Sequence, residues 1–132
     1  MNTGTFTTLS WTEHVASCAE GAPRYAHARA TFAYTGVIDG TSTCDYLLYY
    51  PGEGFTDGGQ ASPGLERIEA TVAGRAGSFV VRHDVRYGPG GIDDTWSVVP
   101  GSGTGELAGL TGHGTSKGDS DTIGYTFDYR FD

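Results

Sequence analysis

Three ionisable side chains, Glu13, Glu66 and His83, fall where strand alternation otherwise places apolar residues. A carboxyl group in an apolar interior has its charged form disfavoured, which lifts its pKa toward the range where it can exchange protons at neutral pH. An imidazole already titrates there. Glu66 and His83 lie on two segments joined by the turn Gly74-Arg75-Ala76-Gly77, so their separation can be tested. If residue 73 pairs with 76, Glu66 stands directly opposite His83; if 73 pairs with 78, Glu66 faces Val85 and is diagonal to His83. Both registers keep the two on one face, with Cβ atoms about 5 Å apart when opposite and about 7–8 Å when diagonal. Glu66 and His83 are therefore the expected catalytic acid/base pair. The competing expectation is structural: Glu66 ion-paired at a solvated rim, and His83 bonded to a backbone carbonyl. Glu13 reads as a rim residue.

Other chemistries find little support. His14, His27, His83 and His113 show neither His-x-His nor His-Glu-x-x-His spacing, so no metal site is expected. Ser78 lacks the flanking pattern of a nucleophile elbow. Gly101–Gly105 lacks the Gly-Lys-Ser/Thr ending of a phosphate loop. Asp93-Asp94 and Asp119-Ser120-Asp121 read as solvated turn acids that fit no calcium loop. No cofactor is implied.

The elements that must hold these residues are strands. Gly and Pro interrupt every candidate helix, and Thr, Val, Tyr and Phe dominate between them. Alternation marks strands at 5–15, 25–38, 42–50, 65–73, 78–87, 93–99 and 122–131, with one or two short ones within 100–118. Pro51–Gly64 reads as a long loop, and Gly88–Gly91 as a turn. Seven or eight closely spaced strands, each with an apolar and a polar face, predict one closed antiparallel β-barrel of about eight strands, a single domain spanning 1–132. The seven glycines between 100 and 118 are expected to bend strands tightly enough to close it. With the apolar faces inward, the lumen wall is Leu9, Trp11, Glu13, Phe32, Tyr34, Tyr46, Leu48, Glu66, Ile68, Phe79, Val81, His83, Val85, Trp96, Val98, Tyr125, Phe127 and Tyr129.

Composition narrows the partners. The 132 residues carry 16 acids against eight bases, a net charge of -8, with Lys117 the sole lysine. That balance opposes binding to a phosphate backbone or a polybasic contact with a membrane. No apolar run is long enough for a spanning helix, and the first residues carry no basic-then-apolar signal, so a cytoplasmic protein is expected. The 22 glycines are offset by eight Tyr, six Phe and two Trp, which argues for a packed core over disorder. Cys18 and Cys44 are expected to be reduced thiols, although one bridge stays open.

Four stretches in order carry a resemblance: Trp11-Thr12-Glu13; Gly64-Leu65-Glu66-Arg67-Ile68-Glu69; Gly74-Arg75-Ala76-Gly77-Ser78-Phe79-Val80-Val81 with His83 after it; and Val98 through Leu110. Together they resemble a bacterial family of single-domain proteins of unknown function with an allene-oxide-cyclase-like barrel. Arg82 and Val85 depart from that family's pattern, which has Gln and Gly there. Gly103–Gly112 is also similar to the Gly-rich strand pair of plant allene oxide cyclases and dirigent proteins. Those relatives hold an apolar small molecule in the barrel and steer its cyclisation or coupling. The resemblance implies a lumen ligand, and the wall that alternation places inward would meet it through Trp11, Glu13, Phe32, Tyr34, Tyr46, Phe79, Val81, Trp96, Tyr125, Phe127 and Tyr129. The expected function is a cofactor-independent isomerase, cyclase or lyase for a small apolar, polyketide-like molecule; the alternative is a non-catalytic binding barrel. A homo-oligomer stays open.

Overall fold

A computed structural model describes residues 2–17, 24–50, 61–88 and 91–132. The strands are β1 (Thr3–Ser17), β2 (Arg24–Gly36), β3 (Ile38–Tyr50), β4 (Ala61–Val72), β5 (Arg75–Gly88), β6 (Gly91–Val98), β7 (Leu110–Gly118) and β8 (Thr122–Phe131). Each pairs antiparallel with the next, and β8 returns to β1 to close an eight-stranded barrel. The expected fold class holds. Among the described residues, no helix is long and apolar enough to cross a membrane; the one helical piece is a 3-10 turn at Gly105–Leu107.

Alternation does what the sequence demands of it. Phe32, Tyr34, Tyr46, Leu48, Ile68, Phe79, Val81, Val85, Trp96, Val98, Tyr125 and Phe127 are all buried inside, and Tyr129 is half-buried. Removing a side chain such as Phe79 or Ile68 from water contributes about 1.5–3 kcal/mol. Glycines make room for the largest rings. A Cβ on Gly114 would overlap the Trp96 indole, and one on Gly64 would overlap the Tyr46 ring.

Several expectations need correction. The β4–β5 hairpin turns on Ala73-Gly74, not on 74–77; Val72 pairs with Arg75. Both turn residues have positive φ, 53° and 78°, the conformation a two-residue hairpin loop requires. Residues 61–64, read as loop, begin β4, while 51–60 lie outside the described residues. So do 89–90 of the expected turn at 88–91. Most glycines of 100–118 serve the connection before β7 rather than bending strands: Gly101, Gly105 and Gly109 take positive φ there.

The first strand departs most. Thr8 pairs with Phe32 but Ser10 with Thr31, so Leu9 is an extra residue, a bulge that switches which residues face in. Leu9 is 60% exposed, not lumen wall. After the bulge, Trp11 and Glu13 sit level with the buried Ala30 and Ala28. Yet β1 pairs with β8 only over Thr3–Thr7, with one more bond from the Thr8 N–H to the Asp121 carbonyl, so among the described residues the rest of β1 pairs with β2 alone. Trp11 is consequently 42% exposed, and Glu13 is exposed. The part of β1 that β8 leaves unpaired lies toward the barrel end where β5 finishes and β6 begins. The opposite end is filled by Ile38, Val72, Leu107 and Leu110.

Candidate active site

Three adjacent strands bring one histidine between two carboxylates. His83 lies on β5 opposite Trp96, and Glu66 and Asp94 lie diagonal to it on either side, opposite Val81 and Val85. The hairpin register is neither of the two considered from sequence. Each differs from the true register by an even number of residues, so Glu66 and His83 still share a face. His83 Nε2 is 2.6 Å from Glu66 Oε1 and His83 Nδ1 is 2.6 Å from Asp94 Oδ2. All three side chains are buried, with Glu66 fully enclosed.

The line has a direction. Asp94 stands nearest the end where β5 gives way to β6, His83 is in the middle, and Glu66 is deepest. At the deep end, Tyr34 Oη donates to Glu66 Oε2 at 2.6 Å, and the Ser42 hydroxyl donates to the same oxygen. At the shallow end, Asp94 Oδ1 is buried and has no side-chain hydrogen-bond partner among the described residues. Cys44, directly across from Glu66 on β3, is buried as a free thiol. Its Sγ lies within 4.8 Å of donor atoms of Glu66 and His83. Cys18 lies outside the described residues.

The electrostatics follow from burial and pairing. Burial opposes a charge on His83, but hydrogen bonds to Asp94, Cys44 and Glu66 outweigh it and hold the imidazole well above its ordinary pKa of 6.5. Burial pushes Asp94 up, and its bond to His83 offsets this only in part. Burial and the neighbouring Glu66 carboxylate push Tyr34 well above its usual range. Burial likewise raises the Cys44 thiol, against a lowering contact with His83. With both ring nitrogens facing carboxylate oxygens, the arrangement suits an imidazolium that donates at each end.

Aromatic rings enclose the line. Tyr46 and Trp96 flank His83, with centroids at 5.7 and 6.5 Å, and Phe127 lies 5.0 Å beyond Trp96. Phe79 stacks on Phe127, and Tyr125 packs against both Tyr34 and Trp96. Trp11 reaches toward this wall from the part of β1 that β8 leaves unpaired, 5.9 Å from Tyr46, and its Nε1 donates to Glu13 at 3.3 Å. Phe32 packs on Phe6 at the deep end, Val81 faces Glu66 across the strands, and Tyr129 lies beside Phe127.

Sequence reasoning missed Asp94, Ser42 and Cys44 as site residues. From sequence Asp93-Asp94 reads as a pair of solvated turn acids, but β6 starts at Gly91 and Asp94 shares inward parity with Trp96 and Val98. That parity was the available signal. Cys44 shares inward parity with Tyr46 and Leu48; only the β3–β4 register sets it against Glu66.

Comparisons with known proteins agree with this architecture. The family model described as "Protein of unknown function (DUF3224)" matches residues 2–129. A crystal structure of a DUF3224-family protein of unknown function from Shewanella oneidensis MR-1 superposes with a TM-score of 0.73. It is 22% identical, and the match covers 98% of this chain and 95% of that one. Among curated proteins, none matches.

Proposed function

The chain belongs to the DUF3224 family of proteins of unknown function, and we propose that it is an isomerase- or cyclase-type enzyme that moves a proton on a small apolar molecule held in the barrel. The observation that carries this reading is the buried Asp94–His83–Glu66 line, at whose shallow end one carboxylate oxygen, Asp94 Oδ1, has no side-chain partner among the described residues. Hydrogen-bonded groups held ready in a dry site are what proton transfer to and from carbon needs.

In this scheme Asp94 Oδ1 takes a proton from one substrate atom and returns it to another, so no net proton, electron or co-reactant is consumed. His83 holds Asp94 Oδ2 and carries the compensating positive charge. Glu66, fixed by Tyr34 and Ser42, keeps that charge in place. Substrate enters along the part of β1 that β8 leaves unpaired, past Trp11 and Glu13, and lies against Tyr46 and Trp96. A non-catalytic binding barrel is the second reading, favoured by one observation: every bond of Glu66 and His83 is already made within the protein.

The test is a panel of small apolar ketones, enones and allylic epoxides incubated with the protein in deuterated water. Deuterium incorporation or rearrangement is followed by proton NMR. We expect turnover of at least one class, a drop of about 100-fold or more in Asp94→Asn, and similar losses in His83→Ala and Glu66→Gln. Binding of the fluorescent apolar probe anilinonaphthalene sulfonate should persist in all three. Probe binding with no turnover by the parent protein would leave the binding barrel as the correct reading.

A further inference from the structure

We propose that Cys44, Glu66 and His83 form a binding site for a divalent cation of borderline softness, of the zinc class. The proposal does not depend on catalysis. It rests on donor chemistry: a sulfur, a carboxylate oxygen and an imidazole nitrogen from β3, β4 and β5 converge with all donor atoms within 4.8 Å of one another. The three residues are buried, so water does not compete for a bound ion as it does at surface acid clusters. Zinc accepts each of these donors, and three protein ligands leave a fourth position open.

The surroundings are those of a supported metal site. A ligating histidine generally donates its other ring N–H to a carboxylate, which fixes the tautomer and the ring plane. His83 has that partner: Nδ1 faces Asp94 Oδ2 at 2.6 Å, which leaves Nε2 as the ligating atom. Tyr34 and Ser42 both hold Glu66 Oε2, which leaves Oε1 for the ion. The register makes the convergence unavoidable, since Cys44 and Glu66 are direct cross-strand partners and His83 is diagonal to Glu66. None of this is visible in sequence spacing, where the three ligands are scattered along the chain.

The cation takes the place of protons. The one between His83 Nε2 and Glu66 Oε1 leaves, and so does the Cys44 thiol proton. The ion gains an imidazole, a carboxylate and a thiolate, while the His83 Nδ1 proton stays on its bond to Asp94. Loading is accordingly expected to release about two protons per ion. It also ties up the His83–Glu66 end of the line, so metal and proton transfer exclude one another.

Cobalt(II) is the probe. The full-length metal-free protein titrated with one equivalent of cobalt(II) should show a thiolate-to-metal charge-transfer band in the near ultraviolet and the strong visible bands of tetrahedral cobalt. Zinc should bleach both. Cys44→Ala and Cys44→Ser should lose the charge-transfer band, and Glu66→Gln and His83→Gln should weaken binding by about 10–100-fold or more. His113→Ala, at an exposed position, should change nothing. Circular dichroism establishes that each variant is folded, and having two variants at Cys44 keeps the test decisive if one does not fold. A six-coordinate cobalt spectrum without a charge-transfer band overturns the proposal, as does a band that survives in a folded Cys44 variant. Because the readout is spectroscopic, this result stands apart from whether any substrate turns over.

Discussion

At the residue scale, the unusual feature is a histidine with both nitrogens committed to buried carboxylates. Taking such charges out of water costs several kcal/mol per ion unless the geometry compensates. Here Tyr34, Ser42 and the two 2.6 Å contacts of His83 supply that compensation. The pH dependence follows from the direction of the shift. His83 binds its proton more tightly folded than unfolded, despite burial, because of Asp94, Cys44 and Glu66. Its contribution to stability is therefore complete below the unfolded value of 6.5 and is lost as pH rises through the folded value. The raised pKa of Asp94 acts with the same sign over its own interval, upward from 3.8. Denaturant melts of the metal-free protein should show stability declining as pH rises above about 6.5. A folded His83→Gln variant should have a flatter profile there. A parent whose stability rises over that interval would contradict the assignment.

At the scale of elements, the β4–β5 hairpin sets the site, and its turn is imperfect. Ala73 takes a φ of 53°, a conformation that costs a non-glycine residue about 1–2 kcal/mol and that asparagine tolerates better. Ala73→Asn would give the Asn-Gly pair that two-residue hairpin loops favour. It should stabilise the protein by about 0.5–1 kcal/mol, seen as a rise of a few degrees in Tm. An unchanged or lowered Tm would mean that the turn carries no strain. This hairpin also marks the limit of what the sequence could reveal. Alternation placed Glu66 and His83 on one face, because every register considered preserved parity. It could not choose the register, because glycines mark Gly74–Gly77 as the turn while the two residues that turn, Ala73 and Gly74, include an alanine. The same limit applies to β1: a single bulged residue, Leu9, resets the facing of everything after it, and no residue type announces a bulge.

At the scale of the whole molecule, closure of the sheet gives the site its meaning. Strand count, antiparallel order and most of the wall were legible in the sequence, because period-two alternation is a local property. Asp94 and Cys44 were not assigned to the site, because their roles depend on which strands neighbour β4 and β5 and at what level. Barrel closure also leaves one asymmetry: among the described residues β1 is paired on both sides only through its first residues, and Trp11 and Glu13 lie beyond them, with Trp11 against Tyr46 of the aromatic wall. The reading of this barrel turns on a protonated histidine held between two carboxylates in its interior. The most direct test is nitrogen-15 NMR of the His83 ring in metal-free protein at neutral pH. Two protonated ring nitrogens and two strongly downfield N–H protons are expected, with the Nδ1 signal altered in Asp94→Asn and the Nε2 signal in Glu66→Gln. A neutral ring with one bare nitrogen and no downfield protons would contradict it.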